Sequence, residues 1–140
     1  MLFAELDSCL FGFESLPAYP LIFAYIIVEG GESMIHLVII EKLTPEGRKD
    51  FKEVLQWQRR FDEWLVSHGA TWKSVKHFIT EVGEPAYETW LAYPNYAAID
   101  EDEEKSKEFA QQPEFLELVS PMSKWFLRKN SRVVKEIQYP

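Results

Sequence analysis

The stretch Ile35–Leu43 carries apolar residues on both of its alternating faces, Ile35, Leu37 and Ile39 on one, Val38 and Ile40 beside His36 on the other. A strand of this kind needs cover on both sides. That requirement rules out a one-sided, half-solvated sheet and calls for helices on one face and a further partner on the other. The chain can supply the filling: of its 140 residues 46% are hydrophobic and 15% aromatic, including five Trp. The length fits one domain.

The punctuation after this strand sets the order of elements. Thr44 reads as an N-cap with Pro45 at the first helical position. Phe51, Val54, Leu55, Gln58, Phe61 and Leu65 then recur at helical spacing up to His68 and Gly69. Residues 71–82 read as a strand, Gly83-Glu84 before Pro85 as a turn, and Tyr87–Tyr93 as a third strand ended by Pro94. A helical stretch opens on the acidic run 100–104, restarts at Pro113 and is expected to kink or break at Pro121. A last strand is expected over 132–139. Strand-helix-strand-strand-helix-strand predicts an α+β fold, a ferredoxin-like βαββαβ sandwich with an antiparallel sheet. Its helices would cover one sheet face and leave the other, apolar or aromatic, for a second copy of the chain.

Residues 1–33 differ in composition from the domain expected over 34–140. All 15 basic residues lie from Lys42 onward, and the only cysteine is Cys9. The apolar run 16–28 is too short to span a bilayer, which takes ~20 apolar residues, and it lacks the basic start of a secretory signal. It reads as an added strand, as a short membrane contact weakened by the missing basic residues, or as an upstream stretch not made in the natural protein. The last is the preferred expectation, because Glu29-Gly30-Gly31-Glu32 implies purine-rich coding just before Met34.

Charge and motifs exclude several functions. The formal net charge of −8 disfavours nucleic acid as a partner, and no segment predicts a membrane span. One cysteine permits no intrachain disulfide, which suits the cytoplasm. The three His show no metal-ligand spacing, and there is neither a phosphate-binding Gly-rich loop nor a nucleophile elbow. No metal and no cofactor are expected.

If the turn at Gly83-Glu84 holds two residues, His77 faces Trp90, Phe78 faces Thr89 and Ser74 faces Tyr93. His77, Glu88 and Trp90 then share a face. A carboxylate beside an imidazole can orient it for proton transfer, so His77 and Glu88 are the candidate catalytic pair. The competing reading is a cross-strand polar pair in an interface. His36, Trp72, Trp90 and Tyr93 are candidate ligand-binding residues, with core or interface packing as the alternative.

The layout from Met34, with Glu88-Thr89-Trp90 leaving the third strand, then Tyr96-Ala97-Ala98 and Gln112-Pro113-Glu114-Phe115, resembles the dimeric α/β-barrel superfamily. Within it the pattern is similar to NIPSNAP-type and antibiotic-biosynthesis-monooxygenase-type domains, with Gln112 where an acidic residue is common. The resemblance implies a homodimeric barrel joined through sheet faces, with a small apolar or aromatic molecule held between helices and sheet. Cofactor-free monooxygenase or isomerase chemistry, or a non-catalytic interaction subunit, are the alternatives it leaves open.

Overall fold

The computed structural model describes residues 34–140; the expectations for residues 1–33 lie outside them. The elements are β1 (Ile35–Leu43), α1 (Pro45–Lys49), α2 (Phe51–Ser67), β2 (Ser74–Ile79), β3 (Tyr87–Tyr93), α3 (Tyr96–Phe109), α4 (Pro113–Val119), α5 (Met122–Trp125) and β4 (Phe126–Lys135). The four strands form one antiparallel sheet in the order β2-β3-β1-β4. The α+β class and the antiparallel sheet are therefore present.

The barrel is not. Among the described residues the sheet ends at β2 on one side and β4 on the other, and these edges do not meet. Left open at both edges, the sheet encloses no interior. The expected dimeric α/β barrel is corrected to an open four-stranded sheet.

Local chemistry explains the boundaries. Thr44 caps α1 by accepting from Gly47 N–H at 2.9 Å, and its hydroxyl donates to the Lys124 carbonyl at 2.6 Å. The cap thus ties the end of β1 to α5. Asp50, with φ −93° and ψ 25°, separates α1 from α2, where periodicity alone suggested one helix. The helix expected to open on the acidic run begins earlier, at Tyr96, because the Asn95 side chain accepts from Ala98 N–H at 2.9 Å. Pro121 breaks the chain between α4 and α5, as its missing donor predicts. The last strand starts at Phe126 rather than Arg132. Phe126 pairs with Leu43, and a register shift between Ile40 and Glu41 lets β4 follow β1 over its whole length.

One sheet face carries Ile35, Leu37, Ile39, Leu91, Tyr93 and Val133, all nearly inaccessible. Beyond it α2 inserts Val54, Trp57, Phe61 and Leu65, which meet Tyr87, Phe109, Phe115, Trp125 and Phe126. The rings interlock: Trp57 stacks on Phe61 at 5.1 Å and meets Trp125 edge-on at 6.1 Å. The second face carries His36, Val38, Ile40, Phe78, Glu88, Trp90, Ala92 and Val134. Val38 and Ala92 are buried there, and Val38 lies between Trp90 and Arg132 in register. Among the described residues no helix is assigned to this face.

Candidate functional site

The hairpin register decides what the sequence-predicted residues can do. His77 pairs with Thr89, Phe78 with Glu88, and Lys76 with Trp90. This is one residue away from the expected pairing. The strands are joined through 81–85, with Thr80 N–H bonded to the Ala86 carbonyl at 3.0 Å and Gly83 at φ +114°. An odd-numbered connection replaces the two-residue turn, and a slip of one position turns every side chain of β2 to the other face. His77 consequently points to the helix side, while Glu88 and Trp90 point to the second face. The expected His77–Glu88–Trp90 cluster is not assembled.

On the helix side His77 has two close partners. Its Nε2 lies 2.7 Å from Asp62 Oδ2 on α2, and its Nδ1 lies 2.9 Å from the Thr89 hydroxyl. Ionised Asp62 can only accept, so Nε2 carries the proton that joins them. In neutral imidazole Nδ1 then accepts from Thr89; in imidazolium it donates. Asp62 Oδ1 accepts from Gln58 at 3.0 Å, and the Gln58 carbonyl oxygen accepts from Tyr87 O–H at 2.9 Å. The chain Tyr87–Gln58–Asp62–His77–Thr89 crosses from sheet to helix and back.

Glu41 lies at the same level of the sheet. Burial holds its carboxyl above the usual range, partly offset by Arg128 and His77. Burial also raises the Tyr87 hydroxyl, with the Asp62 and Glu41 charges adding to it. Glu41, Gln58, Asp62 and Thr89, with Trp57, Phe61 and Met122, line a cavity of about 30 Å³. That is room for about one water. A cavity of that size does not hold the apolar or aromatic molecule expected between helices and sheet, and that expectation is corrected. As a chemical device Asp62–His77–Thr89 can draw a proton from the hydroxyl onto the imidazole. Among the described residues every buried side-chain nitrogen and oxygen already has a hydrogen-bond partner, as a structural network requires.

The other predicted residues separate. Tyr93 is fully buried, and its hydroxyl donates to Asp102 Oδ2 at 2.9 Å; burial, with the Asp102 charge, raises it strongly. Asp102 also accepts from Thr71 N–H at 2.9 and 3.1 Å, so the pair locks α3 against the start of β2. Trp72 is partly buried against both core clusters. His36 and Trp90 do share the second face, with ring centres 5.7 Å apart. Trp90 Nε1–H donates to Glu88 Oε2 at 3.3 Å, and Phe78 meets Trp90 edge-on at 5.9 Å. Phe78, Ile79, Thr80, Glu88 and Trp90 line an open hollow of about 450 Å³.

Sequence reasoning missed Asp62, Thr89 and Glu41. The available signal was the polar pair Gln58 and Asp62, four residues apart on the buried stripe of α2. Among the described residues no group of three His, Cys, Asp or Glu is arranged to hold a metal ion, and no helix is long and apolar enough to cross a membrane.

Compared with known proteins, the chain matches no family model, no curated protein and no solved structure. The resemblance to NIPSNAP-type and antibiotic-biosynthesis-monooxygenase-type domains is therefore withdrawn, together with the monooxygenase and isomerase alternatives it carried. Its short motifs have local causes here: Pro113 opens α4, Phe115 fills the helix-side core, and Trp90 lies on the second face.

Proposed function

We propose that the protein is a self-associating subunit and that two copies meet through their second sheet faces as a homodimer. The observation that carries this reading is the make-up of that face. Trp90 stands between His36 and Phe78, Ile40 and Val134 continue the apolar surface across β1 and β4, and Phe78 and Leu127 are half exposed. An antiparallel sheet that is apolar on the side away from its helices is stabilised by a partner there, and a two-fold axis lets one patch cover its own copy. The proposal places the pair in the cytoplasm, supported by the single cysteine of the sequence.

Light scattering at micromolar concentration tests it. The expected result is a dimer for the full chain, and equally for a chain starting at Met34, with a contact burying more than ~1,000 Å² in total. The double variant Ile40→Glu, Leu127→Glu should be a monomer with an unchanged circular-dichroism spectrum. A stable monomer of the unmodified chain overturns the reading.

A further inference from the structure

We propose that the hollow beside Trp90 binds a small quaternary ammonium compound of the size of choline. Its walls are supplied by one copy of the chain, but Phe78 and Trp90 also lie on the face proposed to pair, so choline and a second copy compete for them and the site is open in the unpaired chain.

Phe78 on β2 and Trp90 on β3 sit diagonally across the hairpin, with centres 5.9 Å apart and planes at 71°. Two rings at that angle form a corner, and a cation in the corner meets the electron-rich face of at least one of them. Attraction of a cation to an indole face is among the stronger contacts an aromatic residue offers. A quaternary ammonium group has no N–H and is only weakly hydrated, so it leaves water for such a corner more readily than a primary amine.

Glu88 gives the corner its sign. It faces Phe78 in register and lines the hollow, and its Oε2 accepts from the Trp90 indole N–H at 3.3 Å. The carboxylate places a negative charge beside the rings. By drawing on the indole proton it also enriches the ring's own face. Ile79 and Thr80 complete the lining. Glu81 and Glu84, both exposed, lie in the connection that follows Thr80 and add negative potential at the same end of the hairpin.

Two cations of the chain stand near. Lys76 is opposite Trp90 in register, and Arg132 Nη2 lies 3.9 Å from Glu88 Oε1. The contact is long and the Arg132 side chain is half exposed, so it holds the carboxylate weakly. It nonetheless competes for Glu88, and relieving that competition should tighten binding. The hollow, at about 450 Å³, lies within the range of small-molecule sites, roughly 300–1,000 Å³.

The test is a titration of the full chain with choline at a concentration where light scattering shows it unpaired, followed by calorimetry and by the indole N–H signals in NMR. The control is 3,3-dimethylbutan-1-ol, which has the same shape without the charge. Choline should bind saturably and shift the Trp90 signal. The neutral alcohol should bind roughly 2- to 30-fold more weakly, the span expected of a cation–ring contact. Glu88→Gln should weaken choline binding severalfold, Arg132→Gln should strengthen it, and Trp90→Leu should abolish it. Trp90→Phe keeps a ring in place and should retain weakened binding, which guards against loss of fold in the leucine variant. Absence of saturation, equal binding of the neutral alcohol, or unchanged binding in Trp90→Leu would each overturn the assignment.

Discussion

His77 Nε2 and Asp62 Oδ2 lie 2.7 Å apart across the gap between β2 and α2, with side-chain exposures of 21% and 19%. Among the described residues β2 is an edge strand, and its one sheet neighbour is β3. The contact therefore does for β2 what a second strand does for β1 and β3: it fixes the strand against the rest of the fold. His77→Ala removes it and leaves the Asp62 carboxylate with Gln58 alone. The expected loss is about 1–3 kcal/mol in urea unfolding, the range for removing one partner of a buried polar pair. Asp62→Ala should cost a similar amount, and the double variant should cost less than the sum of the two. Additive losses would show that the residues do not act as a pair.

How far the sequence carries can be read from this hairpin. The composition of β1 and β3 marks both strands to the residue, because each is a long apolar or aromatic run bounded by Thr44, Pro85 or Pro94. The α2 stripe is visible from its period at Val54, Gln58, Phe61 and Leu65, but Leu55, expected in it, is exposed and Trp57 enters the core instead. What the pattern does not contain is parity. Gly83-Glu84-Pro85 announces a reversal, yet the same three residues serve a two-residue turn or a longer connection, and the choice moves His77 from Trp90 to Thr89. Partner choice across the sheet is a tertiary matter, settled when Asp62 on α2 offers an acceptor to one face only. The same holds for β4, whose first residue Phe126 ends a helical spacing in sequence but is captured, with Leu127 and Arg128, by pairing with Leu43, Lys42 and Glu41.

Glu41 makes stability depend on pH with a definite sign. Burial raises its carboxyl above the ordinary value of 4.5, so the folded state binds the proton more tightly than the unfolded chain. Its contribution is fully present below the unfolded value and is lost as pH rises through the folded one. Glu41→Gln keeps the shape and removes the charge. The variant should lose this downward slope and be more stable than the parent near neutral pH. Thermal unfolding from pH 4 to 8 measures it; parallel curves for parent and variant would contradict the burial argument.

Asp102 should be less tolerant of change than its exposed neighbours in the acidic run. It accepts from Thr71 N–H and from Tyr93 O–H while 4% exposed. Asp102→Ala leaves the part-buried Thr71 N–H and the buried Tyr93 hydroxyl without their acceptor, the latter worth about 1–3 kcal/mol. Glu101→Ala and Glu104→Ala, on the solvent side of α3, should change stability within about 0.5 kcal/mol. Denaturant midpoints for the three variants compare them directly. Tyr93→Phe should fall between these cases, because it removes one donor from Asp102 and leaves the other.

Gly47 offers the strictest steric test. It is buried in α1, and a Cβ built on it would collide with the backbone carbonyl oxygen of Trp125 while lying 3.2 Å from Leu43 Cδ2. That carbonyl is not free to move, since it accepts from Thr44 N–H at 2.9 Å in the contact that ties the end of β1 to α5. In an open helix, alanine in place of glycine gains up to about 1 kcal/mol. Here the added methyl must push α1 away from α5 and strain the Thr44 bridge, at about 1–3 kcal/mol for overpacking of this kind. Gly47→Ala is therefore expected to lower the denaturant midpoint, and its amide exchange should quicken at Thr44, where the bridge opens. A variant as stable as the parent would mean that α1 and α5 are not held at the separation the Thr44 cap requires.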